Sequence, residues 1–153
     1  MKKKILVTFY SKDGHAKRVG EKIASNLDAD MDQVIDLKDR DRKIIGWLIA
    51  GKDAGTKKLT QIKYQEDPSK YDLVIIGTPV WAWTVTPAIR TYLSENKLNK
   101  VKVAFFCTCG GQPGKTFAEM ESLSKKPIDV LIIEDKELDH SDEAILKFCQ
   151  GLK

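Results

Sequence analysis

The sequence predicts an α/β protein built on a doubly wound, five-stranded parallel sheet, and three observations carry that prediction. Five apolar, β-branched runs recur along the chain, amphipathic helical stretches separate most of them, and turn residues stand where the runs end. Parallel strands require crossover connections, and right-handed crossovers place helices on both faces of the sheet.

Lys4 to Tyr10 is β-branched and aromatic with apolar residues on both faces, the pattern of a strand covered on both sides. Ala16, Val19, Ile23 and Leu27 follow at helical spacing with charged residues between them. Asp32 to Leu37 reads as the second strand and Leu73 to Gly77 as the third. Thr86-Pro87 supplies a capping hydroxyl and a proline at the first helical position, which predicts a helix to Glu95. Val101 to Cys107 is the fourth strand. Gly110-Gly111 ends it, and Pro113 opens a helix with Phe117, Met120 and Leu123 on one face. Ile128 to Ile133 is the fifth strand, and Ser141 begins a last helix whose apolar residues are Ile145, Leu146 and Phe148. Lys38 to Gln65 predicts an irregular helix around Ile44, Trp47 and Leu48 and a long loop, since Gly46, Gly51 and Gly55 weaken a regular helix.

A chain of 153 residues has the size of one ordinary domain, so a single domain over residues 1–153 is expected. Its 42% hydrophobic and 31% charged residues are those of a folded, water-soluble protein and exclude a disordered or fibrous one. Ser11-Lys12-Asp13-Gly14 ends the first apolar run before a signal peptide could be completed, and no stretch approaches the ~18 apolar residues of a membrane span. A cytoplasmic location is expected, with no membrane partner. Three cysteines then read as reduced thiols, and His15 and His140, far apart and without a cysteine cluster, make no metal site. Charge is uneven. Lys38 to Lys63 holds eight Lys/Arg against three Asp, whereas Glu119 to Glu143 holds nine acidic residues against three lysines. The basic lobe is either a solvated surface or a dock for an acidic or phosphorylated partner. Nucleic acid is not expected, because exposed aromatics are not interleaved with the basic residues.

Ligands of open α/β sheets sit beyond the carboxyl ends of the strands, so the loops after strands one, three and four are the candidate site. Ser11-Lys12-Asp13-Gly14-His15-Ala16 leads straight into a helix, whose first amides lack internal partners and can hold a phosphate. Gly14 permits close approach, Ser11 offers a hydroxyl, and Lys12 and Lys17 add charge. A plain strand-to-helix turn is the alternative. The second loop, Thr78-Pro79-Val80-Trp81-Ala82-Trp83, carries two indoles that either pack on the domain or cover a flat ligand. The two indoles are not expected to do the same job. In the third, Thr108-Cys109-Gly110-Gly111, consecutive glycines expose amides suited to the edge of a heteroaromatic ring. Cys107 and Cys109 are poorly spaced for a disulfide and read as small buried residues, and Cys149 reads as core.

These residues resemble the short-chain flavodoxin-like family along essentially the whole chain. The resemblance is carried by Tyr10-Ser11-x-x-Gly14, by Gly77-Thr78-Pro79-Val80-Trp81 with Pro87-Ala88-Ile89-Arg90, and by Gly110-Gly111. The Gly46 to Leu59 stretch also resembles a segment of some flavodoxin-like proteins. The resemblance implies a three-layer flavodoxin-like fold with strand order 2-1-3-4-5 and one flavin mononucleotide (FMN). It implies that Ser11 and the amides from Lys12 to Ala16 hold the phosphate, that residues 78 to 83 cover one face of the isoalloxazine, and that residues 107 to 112 meet the pyrimidine edge.

Two departures from the family pattern bear on function. Family members generally have Thr or Ser where this chain has Asp13 and Ala16, a loss of hydroxyls and gain of carboxylate that weakens phosphate binding by about 1 to 3 kcal/mol unless Lys12, His15 or Lys17 offsets it. Family flavodoxins often have Gly in the middle loop where a peptide flips toward flavin N5, and Ala82 near that point is expected to resist a positive φ by about 1 kcal/mol. A pI near 8.9 also differs from the acidic family norm. The expected function is electron transfer through FMN to a redox partner protein or a small electron acceptor, by a monomer or homodimer. The alternatives are an FMN-dependent NAD(P)H:quinone-type oxidoreductase and a flavodoxin-fold binding module that has lost FMN.

Overall fold

A computed structural model describes residues 3–38 and 59–153. The irregular helix expected around Ile44 to Gly51 and the family-like Gly46 to Leu59 segment fall almost wholly outside the described residues. In chain order the elements are β1 (Ile5–Phe9), α1 (His15–Leu27), β2 (Asp30–Gln33), β3 (Ile35–Asp36), β4 (Ile62–Lys63), β5 (Leu73–Trp81), β6 (Thr84–Val85), α2 (Pro87–Glu95), β7 (Lys102–Cys109), α3 (Thr116–Leu123), β8 (Val130–Glu134) and α4 (Asp142–Leu152). Single 3-10 turns occupy Pro68–Lys70 and Asp135–His140.

The main sheet runs β2-β1-β5-β7-β8, all parallel, with β6 paired antiparallel to the end of β5. Counted over its parallel strands alone, this is the expected 2-1-3-4-5 order of a flavodoxin-like sheet. Alternation sorts the side chains into two cores. Val7, Phe9, Ile75 and Phe106 face α1 and α4 with Ile23, Ile145 and Phe148, while Leu6, Val74, Ile76 and Phe105 face α2 and α3 with Ile89, Tyr92 and Met120. Both faces are therefore dry, which is why β1, β5 and β7 read as unbroken apolar runs.

The strand ends differ from the sequence reading. β5 continues through Thr78, Pro79, Val80 and Trp81, and β7 through Thr108 and Cys109, so these residues are strand rather than loop. The extension is possible because Thr78 and Pro79 keep register with Cys107 and Thr108, and Cys109 with Glu134. The expected second strand is split: the buried Val34 amide donates to the Phe9 carbonyl at 2.8 Å, after which Ile35–Asp36 leaves the sheet to pair antiparallel with Ile62–Lys63. Pro87 opens α2 as expected, but the Thr86 hydroxyl does not cap it. That hydroxyl pairs instead with the Thr78 hydroxyl at 3.0 Å, tying the helix entry to β5. The third helix begins at Thr116 rather than Pro113, whose carbonyl accepts the Thr116 hydroxyl. Among the described residues no helix is long and apolar enough to cross a membrane.

Gly77 marks the tightest point of the sheet. It stands in register with Phe106, and a Cβ there would lie 1.9 Å from the Phe106 ring. Gly77→Ala therefore destabilises the fold by about 3 kcal/mol or more. Urea denaturation measures this, and adding Phe106→Leu restores part of the loss; an unaltered Gly77→Ala midpoint would refute the contact.

The three cysteines are buried and unpaired. Burial pushes the Cys149 thiol from its ordinary 9.0 up to about 11, with Lys153 opposing. Between those values the unfolded chain releases a proton that the native chain keeps. The stability this group contributes is thus complete below pH 9 and fades as pH rises toward 11. In urea titrations Cys149→Ala should lose stability less steeply than wild type across that window, and parallel curves would exclude the thiol as a cause.

Candidate cofactor site

The chain leaves β1 through Tyr10 and Ser11 and enters α1 over Gly14, whose φ of 89 is the left-handed conformation that favours glycine. A Cβ at Gly14 would meet none of the described residues within 4 Å, so its backbone and not its packing against them requires glycine. The Ser11 hydroxyl accepts the Gly14 amide at 3.1 Å. Among the described residues no side chain caps α1, and no acidic residue occupies its first turn. The amides of His15, Ala16 and Lys17 thus begin a helix at its positive end.

At the end of β5 the chain reverses at once. Val80 pairs with Val85 and Trp81 with Thr84, which leaves Ala82 and Trp83 as a two-residue turn with φ of 51 and 62. Positive φ at both central residues is the type I′ hairpin, which is normally built from Asn-Gly. Ala82 adopts a positive φ despite the resistance expected of a non-glycine residue; the antiparallel pairing imposes it, at about 1 to 2 kcal/mol for each of the two residues. Trp81 is half-buried, edge-on to Tyr10 with ring centroids 5.5 Å apart, and the Lys12 Nζ lies 5.7 Å from its ring centre. Trp83, by contrast, is 72% exposed and does not pack on the domain.

The three strand ends converge. Ser11, Lys12, Asp13, His15 and Ala16 from the first loop, Pro79, Val80 and Trp81 from the second, and Thr108, Cys109 and Gly110 from the third line one hollow of about 220 Å³. Of the remaining sequence-predicted residues, Gly14 shapes the first loop without lining the hollow, Ala82 and Trp83 form the turn beyond it, and Gly111 lies outside it, next to Gly110. Thr78 is fully buried, its hydroxyl donating to the Pro79 carbonyl at 2.8 Å. A Cβ at Gly110 or Gly111 would also meet nothing within 4 Å, so neither glycine is demanded by packing against the described residues.

Asp135, just past β8, is a lining residue that the sequence reading missed. Its carboxylate lies 3.2 Å from His15 Nδ1, with both side chains about 40% exposed, and brings a fourth strand end to the hollow. An acidic pair, Glu134-Asp135, directly after the last strand was the available signal. Cys109 is buried at the floor. Burial raises its thiol pKa, and the Asp135 and Glu134 carboxylates push the same way. Burial raises that of Cys107 as well. Both sulfurs are therefore held as thiols, which suits small packed residues rather than reactive thiolates.

Known proteins share this fold. The chain belongs to a flavodoxin family, whose model, described as Flavodoxin, matches residues 4–150. A Lactobacillus acidophilus flavoprotein solved in complex with FMN superposes with a TM-score of 0.74 at 29% identity, covering 90% of this chain and 97% of that one. The apo-form of the flavoprotein from that organism superposes at 0.66 with 28% identity, covering 91% and 97%. Oxidised flavodoxin 2 of Bacillus cereus, at 17% identity and a TM-score of 0.58 over 97% and 96%, shares the fold. No curated protein matches the sequence.

The turn supplies a direct test of its strain. Replacing Ala82-Trp83 with Asn-Gly, the pair that favours this turn, should raise stability by about 1 to 2 kcal/mol in thermal or urea denaturation. A loss of stability would mean that the backbone there is not held at positive φ.

Proposed function

We propose that this chain binds FMN in the hollow and serves as an electron-transfer protein. The observation that carries the reading is the meeting of an uncapped helix start, a half-buried indole and the open Gly110 in one cavity at the carboxyl edge of a parallel sheet. The Lactobacillus acidophilus flavoprotein, which was solved with FMN, supports it.

The residues present fit the group. The first-turn amides of α1, with Lys12 nearby, would hold the phosphate; Trp81 and Val80 would cover one face of the ring; the backbone from Thr108 to Gly111 would meet its polar edge. The open Cβ positions at Gly14, Gly110 and Gly111 leave a ligand free to approach the backbone closely. Bound FMN supplies one- or two-electron redox chemistry, and the protein sets its affinity, exposure and potential. Electrons would pass to a partner protein or a small acceptor in the cytoplasm.

One observation favours the contrasting reading of a fold that has given up FMN: two carboxylates, Asp13 and Asp135, line the hollow. Titration of FMN against the apoprotein, read by quenching of flavin fluorescence, separates the readings. Micromolar or tighter binding supports the flavoprotein, and absence of binding at tens of micromolar refutes it. Asp13→Thr removes a charge and returns a hydroxyl, so it should tighten FMN binding about tenfold, or ~1.4 kcal/mol, and leave riboflavin unchanged. Equal gains for both flavins would place Asp13 away from the phosphate.

A further inference from the structure

We infer that Gly114 and the Lys115 amide are positioning residues for the hollow, because they lock the strained turn that turns Trp81 toward it and Trp83 away. The inference rests on reading the hollow as a flavin site. Ala82 and Trp83 hold φ of 51 and 62, yet neither is glycine, and a conformation of this kind persists only where its surroundings over-determine it. Pairing of Trp81 with Thr84 closes the turn from one side. The segment that leads into α3 closes it from the other. The Lys115 amide donates to the Trp83 carbonyl at 2.7 Å, and Gly114 lies so close that a Cβ would stand 2.4 Å from that carbonyl oxygen and 2.6 Å from the Trp83 Cβ. Gly114 itself has φ of 57, so a side chain is excluded there both by conformation and by contact.

The consequence is a division of labour between two indoles two residues apart. Trp81 lines the hollow, whereas Trp83 is 72% exposed and does not. A turn pushed off the α3 segment has no reason to keep positive φ at two bulky positions. Its relaxation rotates the residues on either side of it, and Trp81 leaves the ligand face. Gly114 would thus act on the ligand through Trp81 without touching the ligand.

The test is a double-mutant cycle on flavin affinity in the full chain, using wild type, Trp81→Ala, Gly114→Ala and the double variant, each titrated with FMN and with riboflavin. The two single variants should each weaken both flavins at least tenfold and by the same factor, since the ring face and not the phosphate is affected. The double variant should be within twofold of Trp81→Ala alone. A Gly114→Ala protein that binds within twofold of wild type, or losses that multiply in the double variant, overturns the inference. Should Gly114→Ala not fold, Lys115→Pro removes the donor with no side chain added at residue 114; it should reproduce the loss and its dependence on Trp81, and full affinity overturns the inference. Hydrogen exchange of the flavin-free wild type adds an independent reading: a slowly exchanging Lys115 amide supports the lock, and a fast one overturns it while leaving the flavin reading intact. Wild type that binds neither flavin overturns both.

Discussion

Covering the sheet on both faces is the constraint from which the rest of this molecule follows. Once α1 and α4 pack on one side and α2 and α3 on the other, the backbone of β1, β5 and β7 can satisfy its hydrogen bonds only within the sheet. Chemistry is then confined to the strand ends. Right-handed crossovers send every helix away from the carboxyl edge, so that edge is where backbone amides and helix starts lie open together. Gly77 shows how little slack this leaves: its missing side chain is the space occupied by the Phe106 ring in the neighbouring strand. A sheet this tightly registered fixes the spacing of the three loops without help from the loops themselves.

At the hollow, competing electrostatic effects are of similar size. An uncapped helix start favours an anion by about 0.3 to 1 kcal/mol at an exposed position, and the lysine beside Trp81 adds to it. Asp13 and Asp135 oppose it, but both sit where water screens them, and the Asp135 carboxylate is turned toward His15. The dipole and the carboxylates thus offset each other. Recognition of the ring, through Trp81 and the loop after β7, has to carry a correspondingly larger share of affinity. The first loop discriminates less by charge than by the amides it leaves open.

Much of this was legible in the sequence because burial on both faces leaves an unmistakable pattern. Runs such as Leu73 to Ile76 and Val103 to Phe106 admit few readings, and Gly14, Trp81 and Gly110 announce a site by standing just after such runs. The hairpin was not legible. Thr78 to Trp81 looks like loop because Pro79 cannot donate to a ladder, and Ala82-Trp83 carries none of the Asn-Gly chemistry that marks a tight reversal. Only pairing across the sheet reveals that Pro79 sits opposite Thr108 and that the next six residues, Val80 to Val85, form a hairpin. Likewise Thr86 has the residue type of a cap, yet a buried hydroxyl opposite it, on Thr78, wins the hydrogen bond. Long-range geometry, invisible to local propensity, decided each of these cases. Asp135 belongs with them in part: the Glu134-Asp135 pair marks the strand end, but only the folded chain brings it to His15.

The hairpin also explains a costly feature elsewhere. Arg90 is almost fully buried, its guanidinium paired with Glu119 of α3 at 3.1 Å and reaching the Thr84 hydroxyl at 3.4 Å, while its Nε has no hydrogen-bond partner among the described residues. Buried ion pairs of this kind seldom add net stability, because desolvation offsets their attraction. What this pair provides is direction. A guanidinium fork has fixed geometry, and here it joins α2, α3 and the returning strand β6 at one point. An apolar pair of equal volume would fill the same space but leave β6 free to slide along α3. The strained turn needs β6 held in a single register, since its positive φ values survive only while Trp81 faces Thr84. The buried charges are therefore best understood as the rear support of the surface that Trp81 presents, and the cost of burying them as the cost of keeping that surface in one place.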